Sequence, residues 1–505
     1  MKPAGFNNDL YLQEQSEAIL NRINRHNAQR LYLEFGGKIL FDYHAARVLP
    51  GFAPTVKMQL LEKMKDSIDV ITCISAPDIE KKKIRGDFGI TYDADTMKTI
   101  DDFAEYGIEV KAVVVTRFDE QPAAVAFVHS LERRGIDVYT HKFTKGYPTD
   151  VDLIVSEEGY GANPYIAVDK PVVIVTGPGP GSGKLATCLS QLYHEQKRGI
   201  KAAYAKFETF PVWNLPLKHP VNLAYEAATA ELKDVNMIDH FHLEAYDERT
   251  VNYNRDIDAF PLVTRIIEKI TGEPSFYRSP TDMGVNRVGF AITDDNIVQE
   301  AAKQEIIRRY FRYSCEYALG LCEQETVLRV EMLMKELHLS PDDRKLAVLA
   351  REAAQTAQER NKGNKGIYSG AAIEMPNGDV VTGHNSPLLH AASSVTLNAI
   401  KQLAGIPAHI DLLPAYILTS LTDFKKDVFN SSSISLDLEE TLIALAISAV
   451  NNPSALEAMN KLKILSGCEI HLTHIPPHGD SAGLRKLGLT ATSDPVFATK
   501  SLFPG

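Results

Sequence analysis

The stretch VVIVTGPGPGSGKLATCLSQLYHE, Val172 to Glu195, decides how this chain is read. Val172 to Val175 is a β-branched run without a polar break, the pattern of a strand buried on both faces, and Leu185 to His194 repeats apolar residues at helical spacing. Between them lie Gly177, Gly179, Gly181 and Gly183, followed by Lys184. A helix N-terminus carries unpaired N–H groups and the positive end of the helix dipole. A strand, a glycine loop and a helix in this order therefore make a natural anion cradle.

The spacing is unusual. A standard phosphate loop reads G-x-x-x-x-G-K-[ST], its last hydroxyl binding magnesium. Here Gly183-Lys184 supplies the end, but Pro178 stands where the first glycine belongs and Leu185 where the hydroxyl belongs; Ser182 and Thr187 are the nearest hydroxyls. Pro178 and Pro180 bring no N–H and so remove two donors. The dinucleotide pattern G-x-G-x-x-G also fails, ending on Ser182 when counted from Gly177 and on Lys184 when counted from Gly179. What remains still points to a phosphate or nucleotide site, formed by Gly177, Gly179, Gly181, Ser182, Gly183, Lys184 and Thr187, with Lys184 neutralising the phosphate.

On either side, strands alternate with helices. DSIDVITCIS, GIEVKAVVVTRF, IDVYTHKF, VDLIVSE and IKAAYAKFE read as strands, RLYLEFGGKILFD as a strand turning at Gly36-Gly37, and Leu12–Ile23 and PAAVAFVHSLERRG as helices. Such alternation predicts an α/β domain over residues 1–293 with a parallel or mixed sheet. From 294 to 362 the pattern turns to long helices, one starting at Ser340-Pro341, and predicts a helical subdomain. A third region, 363–505, opens with a hairpin turning at Asn377-Gly378 and a helix over 386–403.

Open α/β sheets place ligands at strand C-termini, where Lys206 and Glu208 close AAYAKFE. Glu208 is the candidate base and Lys206 a second phosphate contact. Lys218-His219, Asp239, Asp282, Asn286 and Arg287 are weaker candidates.

Length and charge set the frame. With 505 residues, 44% hydrophobic and 24% charged, the chain has the composition of a globular protein of two to four domains. A net charge of -11 argues against nucleic acid as main partner. No run of eighteen apolar residues marks a membrane span, and MKPAGFNNDLYLQEQSEAI lacks the apolar core of a secretion signal. Five scattered cysteines without C-x-x-C spacing fit a reducing cytoplasm. A homo-oligomer is expected.

Two tempting metal motifs are incomplete. HEQKR at 194–198 has Arg198 where H-E-x-x-H needs its second histidine, and in CEIHLTHI a strand would send His471 and His474 to opposite faces. No zinc is expected.

The whole chain, above all GPGPGSGKLATCLSQLYHEQKRG and SPTDMGVNRVGFAI, resembles a bacterial family of about this length known as a domain of unknown function. Some of its members carry an ATP-dependent zinc protease designation, with which HEQKR does not agree. AAIEMPNGDVVTGHNSPLLHAASSVTLNAI resembles the opening of the cytidine deaminase-like fold, a resemblance that implies this topology for the C-terminal domain and His390 as first zinc ligand. Ala392 replaces the glutamate that chemistry needs, and LLPAYILTS lacks the cysteine pair.

The leading expectation is an enzyme that binds ATP or GTP and transfers a phosphoryl group to a small metabolite; the missing hydroxyl leaves magnesium in question. The alternatives are a transferase or lyase whose substrate brings its own phosphate, and a non-enzymatic sensor of a phosphorylated ligand.

Overall fold

The computed structural model of the protein describes residues 3–36, 38–85, 89–430 and 433–499; Gly37 of the expected turn and residues 500–505 lie outside these. The described chain forms two compact units, residues 3–302 and 303–499. Among the described residues no helix is long and apolar enough to cross a membrane.

The N-terminal unit is built on seven parallel strands: β1 Arg30–Phe35, β2 Ile68–Ser75, β3 Val110–Thr116, β4 Val138–His141, β5 Val172–Thr176, β6 Ala202–Phe207 and β7 Gly284–Val285. Their order is β7-β6-β1-β5-β2-β3-β4. Every residue of β2 and β5 is buried, which is why neither alternates apolar with polar residues. On one face Ile71, Cys73, Val173 and Val175 pack under Cys188, Leu189 and Leu192 of the helix Lys184–Lys197 and under Phe260, Val263 and Ile266 of the helix Asn254–Thr271. On the other, Ile74, Val113 and Val115 pack against Ala124, Phe127 and Leu131 of the helix Pro122–Glu132. Each fully buried aliphatic side chain of this kind contributes about 1.5–3 kcal/mol.

Chain order and strand order disagree at the centre. β5 inserts between β1 and β2 although it follows both by a long stretch of chain. β2 runs on toward β3 and β4 past the helix Tyr92–Glu105 on one face, whereas β5 runs on toward β6 through Lys184–Lys197 on the other. Their C-terminal ends therefore flank a topological switch point, the crevice where open α/β sheets hold ligands.

The C-terminal unit carries β8 Gly370–Glu374, β9 Val380–His384, β10 Glu469–Leu472 and β11 Thr490–Ser493, ordered β9-β8-β10-β11, with only β10 and β11 parallel. The β8-β9 hairpin turns at Gly378, whose φ of 86° suits glycine. In its core Ile373, Val395, Ile400, Leu445 and Ile470 are buried together.

Two expectations change. VDLIVSE is a helical turn, Val151–Ile154, because the Asp150 side chain accepts from Leu153 N at 3.0 Å and caps it. The helix expected over 386–403 begins at Ala391, since Leu389 bridges to Leu436. The division between the two units falls after Ala302, and Leu346 and Ala350 of the helix Lys345–Glu359 bury against Ala372 of β8.

Candidate functional site

The loop after β5 is held from three directions. Gly177 lies against Cys73 of β2, where a Cβ would meet the carbonyl oxygen at 2.3 Å and Ser182 Oγ at 2.5 Å; at Gly179 a Cβ would meet Tyr92 Oη at 2.4 Å. Gly183, at φ 91°, faces Thr116 at 2.6 Å. These three glycines thus serve close packing of the loop on its own protein. Gly181 has φ 75° and no neighbour that close, so only its backbone conformation calls for glycine.

Side chains complete the hold. Thr116 Oγ1 donates to Ser182 O at 2.8 Å, and Arg117 Nη2 donates to Gly181 O and to Ser75 Oγ, both at 2.7 Å. Lys184 opens the helix Lys184–Lys197, and its Nζ leans back on Gly179 O at 3.3 Å and Ser182 Oγ at 3.4 Å. Thr187 is fully buried, and its Oγ1 accepts from Cys73 Sγ at 3.4 Å. Of the hydroxyls near Lys184, then, one lies under the helix and the other beside Gly177.

The backbone amides carry the site's character. Pro180-Gly181 forms a turn closed by Ser182, while the N–H groups of Gly181 and of Gly183 through Ala186 donate to no acceptor among the described residues, the first backbone bond of the helix being Thr187 N to Gly183 O. The two prolines spare this run. Beneath the loop, Thr72, Thr176, Gly177 and Pro178 line a cleft of about 10 Å³ with Asp95, Thr96 and Thr99, room for one water. Thr72 is 1% exposed and its Oγ1 has no hydrogen-bond partner among the described residues.

Across the sheet lies a buried charge cluster. Glu34 of β1 stands level with Val175 of β5 on one side and Lys206 of β6 on the other, and Tyr204 Oη donates to Glu34 Oε2 at 2.8 Å. Lys206 Nζ lies 2.7 Å from Glu208 Oε1 and 2.5 Å from Asp256 Oδ2, Asp256 coming from the first turn of Asn254–Thr271. Burial would release the Lys206 proton, but Asp256 and Glu208 hold it above the ordinary lysine range. Burial pushes Glu208 up to about 7, against Lys206 and with the help of Asp256. Asp256 goes the other way: burial is outweighed by Lys206, and it stays below the usual carboxylate range. Two adjacent carboxyls with divided pKa values, one poised near neutrality, suit an acid–base pair.

The other sequence candidates have structural places. Asp239 caps the helix His240–Tyr246 and accepts from Thr281 Oγ1 at 2.6 Å. His219 caps Pro220–Ala228, with Nε2 at 2.9 Å from Asp295 Oδ1. Asn286 Nδ2 donates to Pro211 O at 2.8 Å, Asp282 Oδ2 accepts from Tyr246 Oη at 3.1 Å, and Arg287 N donates to Gln15 Oε1 at 2.8 Å. In HEQKR, Glu195 is fully buried and accepts from Tyr32 Oη at 2.9 Å, while His194 Nε2 sits 2.6 Å from Asn163 O.

The donor set for the zinc that the deaminase-like resemblance implies does not fit. His390 Nδ1 is bound to the buried Asp480 at 2.9 Å, Ala392 is buried in the core, and LLPAYILTS leads into the helix Ala415–Asp427. His471 Nδ1 bonds Thr492 Oγ1 at 2.9 Å; β10 ends at Leu472, so strand alternation does not reach His474, which is buried. No group of three or more His, Cys, Asp or Glu side chains among the described residues is arranged to hold a metal ion.

Sequence reasoning missed Glu34, Thr72, Arg117 and Asp256. The strand-end rule that found Lys206 applies equally to Arg117, one residue past β3. Asp256 stands in a helix opening, NRDIDAF, that matches no motif.

Fold and site define an α/β protein in which a seven-stranded parallel sheet carries a glycine loop at its centre and a second α/β unit follows. The chain belongs to the family described as domain of unknown function DUF1846, whose N-terminal profile matches residues 4–338 and whose C-terminal profile matches 342–503. UPF0371 proteins of Clostridium tetani (strain Massachusetts / E88) and Clostridium botulinum (strain Alaska E43 / Type E3) are each 55% identical over 499 residues, covering 99% of both chains.

Proposed function

We propose that the N-terminal unit is an enzyme acting on a small phosphorylated metabolite, a transferase or lyase in which the loop 177–184 holds the substrate's own phosphate. The unpaired amides of Gly181 and of Gly183 to Ala186 carry this reading, because together with Lys184 they stand on the loop that follows β5 at the switch point of the sheet. Reaction would take place at Lys206, Glu208 and Asp256. That cluster lies two strand spacings from β5, about 10 Å, the reach of a short phosphorylated carbon chain. Glu208, poised near neutrality, exchanges a proton with the substrate, and cationic Lys206 stabilises the negative charge that develops beside it.

ATP- or GTP-dependent phosphoryl transfer is the second reading, supported by the order strand, loop, lysine, helix. It is less favoured because Leu185 takes the place of the magnesium hydroxyl and Thr187 Oγ1 is engaged with Cys73. A thermal-shift screen of phosphorylated metabolites and nucleotides, followed by affinity measurements on hits, separates the two. A ligand at a hundredfold its Kd adds about 2.7 kcal/mol of stability. Lys184→Ala should weaken the hits by about ten- to a hundredfold, the worth of one charged hydrogen bond, with little change in the unfolding midpoint. Unchanged affinity for every hit would leave the stretch a packing turn; hydrolysis of nucleotide would favour the second reading.

A further inference from the structure

We infer that Arg117 is the second cation of the phosphate cradle, supplying the positive charge for which a phosphate loop of standard spacing uses a divalent metal, so that the site takes a phosphate monoester without magnesium. This rests on the reading just given and specifies its ligand.

Arg117 follows β3 with a φ of 52°, a left-handed conformation that costs a side-chain-bearing residue of order 1 kcal/mol or more. The twist turns the chain at the strand end, and the side chain crosses over β2 to reach the loop. There a single nitrogen, Nη2, makes both bonds, to Gly181 O and Ser75 Oγ. Nη1 and Nε have no acceptor among the described residues, and the residue is exposed, so the rest of the planar fork is available beside the unpaired amides that begin at Gly181. Gly181 leaves the approach open: a Cβ there would meet nothing nearer than Arg117 Nη2 at 3.8 Å. Thr72, whose buried Oγ1 has no hydrogen-bond partner among the described residues, lines the cleft that Gly177 and Pro178 of the same loop also line.

Charge selects the ligand. A phosphate monoester near neutral pH carries close to two negative charges, and Lys184 with Arg117 supplies two positive ones. A triphosphate would leave about two charges unmatched unless a metal came with it, and the hydroxyl that a standard loop gives that metal is not offered: Leu185 has no side-chain oxygen, Ser182 is buried beside Gly177, and Thr187 Oγ1 is taken.

The test uses the full chain and inorganic phosphate as probe, by isothermal titration with magnesium and again with EDTA. Phosphate affinity should agree within about twofold between the two conditions, and Arg117→Ala should lower it by about ten- to a hundredfold. Arg117→Lys, which keeps the charge without the fork, should restore only part of the loss and covers the case in which the alanine variant fails to fold. Arg133→Ala, which removes an exposed charge elsewhere, should leave affinity unchanged. Full affinity in Arg117→Ala, or phosphate binding that needs magnesium, would overturn the inference while the phosphate reading stands. Wild-type protein that binds neither phosphate nor any phosphorylated ligand of the thermal screen would overturn both.

Discussion

Glu208→Gln isolates the electrostatics of the buried cluster. A glutamate ordinarily titrates near 4.5, and burial pushes Glu208 up to about 7. The raised value belongs to the folded state, so the folded protein binds this proton more tightly than the unfolded chain does. The stabilisation is complete below pH 4.5 and is lost as pH rises through 7. At 1.36 kcal/mol per pH unit the loss approaches about 3 kcal/mol, and because Asp256 shares the proton about 1–3 kcal/mol is the working range. Glutamine keeps the shape of the protonated acid and cannot ionise, and Lys206 retains Asp256. The variant should therefore match wild type at pH 4 and exceed it by about 1–3 kcal/mol at pH 8. Urea unfolding followed by the fluorescence of Trp213 measures this. Trp213 is the chain's single tryptophan, and its Nε1 donates to Asn286 O at 3.0 Å within the N-terminal unit. A variant whose stability runs parallel to wild type from pH 4 to 8 would refute the reasoning, since Glu208 would then titrate alike in folded and unfolded chains.

Two further outcomes follow from the geometry. Gly183→Ala combines a positive φ with a Cβ 2.6 Å from Thr116 and should cost about 2–4 kcal/mol, read as a lower urea midpoint of the Trp213 transition. Asp480→Asn should lower the His390 pKa: burial depresses it, but the Asp480 hydrogen bond and charge hold it above the ordinary 6.5, so the variant should titrate below 6.5 by NMR, and an unmoved His390 would show that Asp480 is not its partner.

What the sequence discloses follows from how locally each feature is determined. β2, β3 and β5 are legible because strands buried on both faces select β-branched residues without alternation, as Val172–Val175 does. The glycine loop is legible because its composition is local, although the close approach of Gly177, Gly179 and Gly183 to Cys73, Tyr92 and Thr116 is visible only in the fold. VDLIVSE misleads because one capping aspartate outweighs a weak strand pattern. Arg117 and Asp256 join the candidate site through strand order and helix placement. No spacing between them and Lys184 encodes that proximity; it arises only once β5 has entered between β1 and β2.

That insertion also sets the order in which the protein can be made. On a ribosome β2 ends at Ser75 and β5 does not start until Val172, roughly a hundred residues and 5–20 s later at ordinary elongation rates. Through that interval the nascent chain holds β1 and β2 with facing edges whose N–H and C=O groups await a strand not yet synthesised, an exposure that invites pairing with other chains. Release of β5 fills the gap between β1 and β2, and the residues that follow at once are those of the glycine loop. The joining of β1 to β2 and the creation of the cradle thus follow each other directly in biosynthesis, and a chain interrupted before Val172 lacks both.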